Sequence, residues 1–237
     1  MTKGKKKALQ AVAALLILMI GCGIYVGDYY RADHTAFVLP ESVVVERMED
    51  RMVFVPEESS VGLVFYPGGK VEFSAYAPLM AKLAEQNVLC VLLKMPLNLA
   101  VLDANAAEGI PEAFPEVKHW YLAGHSLGGS MAASFAKNNL GVYEGLILLA
   151  AYSTEDLRET GLKVCSLRGD RDGVLNPEKY RQYWNNLPED TLELVLEGGN
   201  HAGFGSYGPQ RGDGQSTLEN GAQLQWTADR ILEFFGR

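Results

Sequence analysis

At 237 residues, with 48% hydrophobic and 21% charged side chains, the chain has an ordinary globular composition and enough length to bury one sizeable core. Four of its lysines stand at positions 3 and 5–7, so the formal charge of −8 divides unevenly: residues 28–237 carry 17 basic against 29 acidic side chains, a net −12. That balance argues against nucleic-acid partners and reads as a solvated acidic surface, and three cysteines cannot form a disulfide framework.

In chain order, the lysine-rich start is followed by an apolar run from Ala8 to Val26, broken only by Gln10 and glycines. As a helix it would extend roughly 28 Å, close to the ~30 Å of bilayer hydrocarbon. Residues 1–27 are therefore expected to be a cytoplasmic basic stretch and a single-pass membrane anchor, with the rest of the chain outside the cytoplasmic membrane. Two alternatives give the same placement. One is a cleaved signal peptide; the other is a lipoprotein, since "LMIGC" loosely matches a lipidation box ending at Cys22. Residues 28–40 are a connector that contains His34 and whose Tyr29 and Tyr30 suit a membrane interface. Residues 41–237 form the folded domain.

Within it, "SVVVERM" and "RMVFVPE" predict an antiparallel strand pair. The strand "VGLVFYPGG", the helix "SAYAPLMAKLAEQN" and the strand "VLCVLLKMP" come next, then the strand "VKHWYLAGHS", the helix "LGGSMAASFAKNN" and the strands "YEGLILLAAYS" and "LKVCSLRGDRD". "NPEKYRQYWNNL" predicts a helix opened by Asn176 with Pro177 at its first position. "TLELVLEGGNH" is the last strand and "LENGAQLQWTADRILEFFG" the closing helix. Unbroken apolar runs such as "LILLAA" mark strands buried on both faces, as in a parallel sheet covered by helices. The expected architecture is α/β, doubly wound, with about eight strands. Cys90 and Cys165 lie in such runs and read as small buried hydrophobes. The one long irregular segment is Gly-rich, residues 203–214.

In a parallel sheet, ligands bind beyond the carboxyl ends of the strands, so candidate groups are sought there. "GHSLG" closes one predicted strand and opens a small-residue helix, the strand-turn-helix setting of a nucleophile elbow, with Ser126 at its apex. Gly124 and Gly128 would let strand and helix approach where a larger side chain would clash.

On these residues, and on the segments around them, the chain from about residue 40 onward resembles the α/β-hydrolase family, in particular its small lidless members related to dienelactone hydrolases and esterases. The resemblance implies an eight-stranded, mostly parallel sheet and a Ser, acid, His order along the chain. "RGDRDG" then supplies the acid: Asp172 by its place three residues after Gly169, with Asp170 as the fallback. "GGNHAGF" supplies the base, His201. Ser126, Asp172 and His201 are the expected catalytic triad, in which the imidazole takes the serine proton and the carboxylate holds the imidazole. The oxyanion hole is expected from the backbone N–H of Leu127 and, in "YPGGK", that of Gly69, with Lys70 as the alternative; Tyr66-Pro67 stands where the family has His-Gly.

Lys70 and Lys94, at neighbouring strand ends, are candidate contacts for an anionic substrate. Only "TEDLRETG" separates the sixth and seventh strands, leaving no room for a cap domain, so loops 96–115 and 203–214 are expected to roof the site. Arg211-Gly212-Asp213 matches an adhesion motif by letters alone. The expected activity is hydrolysis of a carboxylic ester or related acyl bond in a small-molecule substrate, with no metal and no organic cofactor. Acyl transfer, peptide cleavage and a non-catalytic binding module are the alternatives, and the oligomeric state is open.

Overall fold

A computed structural model describes residues 3–33 and 40–236. Helix α1 spans Lys3–Gly27, and most of the side chains described on it, Leu15, Ile17, Leu18 and Ile20 among them, are exposed. Among the described residues no helix is long and apolar enough to cross a membrane, so the anchor expected over residues 1–27 is not supported. His34 lies outside the described residues.

Eight strands form one sheet in the order β1-β2-β4-β3-β5-β6-β7-β8. Strands β1 (Val44–Arg47) and β2 (Arg51–Val55) are the expected antiparallel pair, and β2 runs antiparallel to β4 (Val88–Leu93). Every later pairing is parallel, through β3 (Val61–Tyr66), β5 (His119–His125), β6 (Gly145–Leu149), β7 (Lys163–Gly169) and β8 (Leu192–Leu196). Helices α2 (Ala77–Ala84), α3 (Ile110–Ala113), α4 (Leu127–Asn138), α5 (Pro177–Trp184) and α6 (Asn220–Phe234) complete the domain. The segment expected to be one helix from Ser74 opens instead as a short 3₁₀ turn, Phe73–Tyr76, before α2. Asn176 caps α5 as its sequence predicts, its Oδ1 accepting the Lys179 N–H at 2.9 Å with Pro177 in the first turn.

The unbroken apolar strands are two-sided. In β3, Leu63 and Phe65 join the core shared with α2 and α6, while Val64 and Tyr66 join the opposite core shared with α4. In β4, Cys90 and Leu92 face one way and Leu89 and Val91 the other. Each such side chain contributes about 1.5–3 kcal/mol by leaving water, and alternation along a strand distributes that gain over both layers. All three cysteines are free, with Cys90 and Cys165 buried; burial pushes the Cys165 thiol up to about 12.

β3 is flanked by β4 on one side and β5 on the other, so the chain reverses its direction of travel across the sheet at this strand. Crevices open at the carboxyl ends of the strands at such a reversal. The turn after β3 carries Gly68 and Gly69, and the turn after β5 carries Ser126.

Candidate active site

Ser126 sits between β5 and α4 with φ 52° and ψ −122°, a conformation that a non-glycine residue adopts only where its surroundings enforce it. The enforcement is steric and hydrogen-bonded. Its N–H donates to the Leu149 carbonyl at 2.9 Å, and its carbonyl accepts the Ser130 N–H at 3.3 Å. Strand and helix cross so closely that a Cβ on Gly124 would lie 2.6 Å from the Gly128 carbonyl, and one on Gly128 would collide with the Tyr66 and Pro67 carbonyl oxygens. The two elbow glycines are therefore required, and the contact joins the elbow to the end of β3.

Asp172 and His201 meet. The loop after β7 delivers Asp172 and the loop after β8 delivers His201, both almost fully buried, and His201 Nδ1–H donates to Asp172 Oδ2 at 2.8 Å. The other carboxylate oxygen, Oδ1, accepts the N–H groups of Val174 and Leu175, each at 2.8 Å, which fixes the carboxyl plane. In a neutral ring with the proton on Nδ1, Nε2 is an acceptor; it is buried and has no hydrogen-bond partner among the described residues. The ring lies against that of His125, centroids 4.5 Å apart, bringing the imidazole to the neighbour of Ser126. The fallback acid, Asp170, is turned elsewhere: its Oδ1 accepts the Gly198 N–H at 2.7 Å.

The two residues assigned to the oxyanion hole are also brought together. A Cβ on Gly69 would stand 2.9 Å from Leu127 Cδ2. Leu127 opens α4, where amides have no acceptor within the helix. On the facing loop the Gly68 N–H donates to Tyr76 Oη at 3.1 Å, and the Lys70 N–H donates to the Asn98 carbonyl at 2.8 Å. The Gly69 N–H, between them, makes no hydrogen bond among the described residues, whereas Lys70, the alternative donor, is occupied.

The side chains of Lys70 and Lys94 do not converge on Ser126. Lys70 Nζ donates to Asp28 Oδ2 at 3.3 Å and stands over the Tyr25 ring at the end of α1. Lys94 Nζ donates to the Glu49 carbonyl at 3.1 Å in the β1–β2 turn. Both sit where the strand order placed them, but a neighbouring acceptor has drawn each ammonium sideways.

Two features were not foreseen. The first is a buried chain from the β3 turn to the elbow: Tyr76 Oη accepts the Gly68 N–H and shares a hydrogen bond with His125 Nδ1 at 2.8 Å. Burial, and next to it the positive charge that His201 can carry, lower the His125 pKa well below the ordinary histidine value, so that ring is neutral. The second is Asp213, whose Oδ1 accepts the N–H groups of Gly173, His201 and Gly214 and whose Oδ2 accepts that of Ala202. Neither leaves a spacing signal, because all partners but Gly214 come from other segments of the chain.

Between β6 and β7 there is only irregular chain, with no cap domain. Loop 96–115 carries short helical turns, and at Leu97 and Asn98 two successive non-glycine residues have positive φ. Surface cavities of about 500 Å³, on the α5 side of Asp172, and about 570 Å³, behind Asn200 and Asp213, are lined by neither Ser126 nor His201. Among the described residues no cluster of three or more His, Cys, Asp or Glu side chains is placed to hold a metal ion.

The fold and this arrangement define the class, and sequence comparison agrees: residues 62–225 match the profile of the alpha/beta hydrolase family, and the chain belongs to that family. Its fold is similar to that of a protein from Thermoplasma acidophilum described as a predicted CIB-like hydrolase, with a TM-score of 0.59 at 14% identity over 81% of this chain and 99% of the other. It is similar also to TT1662 from Thermus thermophilus (TM-score 0.59, 15% identity, 81% and 98% covered) and to Est1E from Butyrivibrio proteoclasticus (TM-score 0.58, 12% identity, 83% and 100% covered). No curated protein matches this chain. At these identities the structural likeness speaks to the fold alone.

Proposed function

We propose that the protein is a serine hydrolase that cleaves a carboxylic ester or related acyl bond through an acyl-Ser126 intermediate. The observation that carries this reading is the 2.8 Å bond from His201 Nδ1 to Asp172, which leaves Nε2 buried, with no partner among the described residues, beside the strained elbow. In this scheme Nε2 takes the proton from Ser126 Oγ as Oγ bonds to the substrate carbonyl carbon, and Asp172 stabilises the imidazolium. The carbonyl π electrons move onto oxygen, where the N–H groups of Leu127 and Gly69 receive the charge. Collapse breaks the bond to the leaving alkoxide, which takes the proton from Nε2 and departs as the alcohol. Water repeats the sequence on the acyl-enzyme, giving the carboxylic acid and free Ser126. The scheme uses only side chains and amides of this chain.

A panel of p-nitrophenyl esters of increasing acyl length, given to the full chain and to Ser126→Ala, tests the proposal. Wild type is expected to turn over at least the short esters, and Ser126→Ala to lose roughly 10⁴-fold or more in kcat. Equal rates for the two proteins would contradict it.

The domain from residue 41 is further proposed to act outside the cytoplasmic membrane, because a lysine-rich start followed by an apolar segment also describes a secretory signal peptide. Protease added to intact cells is expected to digest it; full protection would count against this placement.

A further inference from the structure

Asp213 lies in the Gly-rich segment and touches both loops that bear the acid and the base. Its Oδ1 accepts from Gly214 at 2.8 Å, from Gly173, the residue after Asp172, at 3.0 Å and from His201 itself at 3.3 Å, and its Oδ2 accepts from Ala202 at 2.8 Å. The three segments are in backbone contact around it: a Cβ on Gly173 would lie 2.6 Å from the Gly212 carbonyl, and one on Gly214 would collide with the Arg171 carbonyl. Asn200 closes the arrangement, donating from Nδ2 to the Gly214 carbonyl at 2.8 Å and accepting the Gly203 N–H at 2.9 Å.

Four N–H groups aimed at one side chain require acceptors on both terminal atoms. A carboxylate has two acceptor oxygens; an amide has one, and its NH₂ would be turned against at least one N–H. Hydrogen bonds to a charged acceptor are also roughly twice as strong as neutral ones.

We propose that Asp213 is a positioning residue that sets the register between Asp172 and His201 by clamping the loops after β7 and β8 to the 212–214 segment. This rests on the serine-hydrolase reading, because what it positions is the acid–base pair of that reaction. Asp213 acts through the backbone of its neighbours, so its loss should displace the imidazole without removing any reacting group. Displacements of about 1 Å at a reacting pair cost on the order of 10²-fold in rate.

The test compares Asp213→Asn with Asp170→Asn, which disturbs a single bond to Gly198 in an adjacent turn. Expected for Asp213→Asn, with a wild-type circular dichroism spectrum, are a fall of about 10²-fold in kcat with KM little changed and loss of the downfield Nδ1–H proton resonance of the His201–Asp172 bond. Asp170→Asn is expected to keep kcat and that resonance. A folded Asp213→Asn protein with wild-type kcat and resonance would overturn the proposal. Should the variant not fold, wild type itself decides: the amides of Gly173, His201 and Ala202 are expected to exchange as slowly as those of β7, and rapid exchange at these three would overturn the clamp. Failure of the hydrolase reading looks different, because wild type would then show no esterase activity while the same amides stayed protected.

Discussion

The elbow after β5 and the Asp172–His201 corner after β7 and β8 hold their residues by different physics. At the elbow, shape does the work: Gly124 and Gly128 let β5, α4 and the end of β3 meet with no space for a side chain, and Ser126 is forced to φ 52° at the apex. At the corner, charge and hydrogen bonding do it. Asp172 accepts from His201, Val174 and Leu175, and Asp213 accepts from Gly173, His201, Ala202 and Gly214. A sterically built site should fail when volume is added. A hydrogen-bonded site should fail when an acceptor is changed at constant volume.

The largest effect expected from this contrast is at the corner. Asp172→Asn preserves shape but offers the imidazole the wrong partner, and kcat is expected to fall by about 10⁴-fold with the fold intact, as checked by steady-state kinetics beside thermal unfolding. At the elbow, Gly128→Ala adds one methyl group against the Tyr66 and Pro67 carbonyls and should cost about 1–3 kcal/mol in denaturant unfolding, together with most of the activity. A stable, active Gly128→Ala protein would break the distinction.

A smaller effect comes from the bridge between the two regions. His125 is neutral in the folded protein, with its pKa held below that of the unfolded chain, chiefly by burial. The unfolded state therefore binds the extra proton, so this contribution to stability is complete above about pH 6.5 and declines as pH falls below it. Urea unfolding of wild type and His125→Gln across that range should show a flatter acid limb in the variant. The smallest effect is at Lys94, whose ammonium is committed to the Glu49 carbonyl: Lys94→Ala should leave the ratio of rates on matched anionic and neutral esters unchanged.

The same contrast explains which parts of the site could be read from the sequence. Steric demands leave a local trace, since glycines two residues either side of a serine, after an apolar strand and before a small-residue helix, are adjacent in the chain. The strands were legible because burial on both faces leaves unbroken apolar runs, and Asn176-Pro177 announced the start of α5. The family resemblance, with its Ser, acid, His order along the chain, pointed to Asp172 and His201, and the structure places the two side chains in contact. Asp213 could not be, because its four partners span residues 173 to 214 and its letters, Arg-Gly-Asp, suggested only a chance motif. Tyr76 and His125 are 49 residues apart and were equally silent. The lysines were placed correctly at strand ends, but the sequence had no means of indicating that Asp28 and Glu49 would take their ammonium groups. The N-terminal segment reads as an anchor by its hydropathy and its lysines, but among the described residues no helix is long and apolar enough to cross a membrane.

Reaction of the full chain with a fluorophosphonate, followed by peptide mapping in a mass spectrometer, bears most directly on the central claim that Ser126 is a nucleophile activated by His201. One adduct on Ser126 is predicted in wild type, absent in Ser126→Ala and formed far more slowly in His201→Gln. A folded wild type that takes up no adduct, or an adduct that survives in Ser126→Ala, would contradict it.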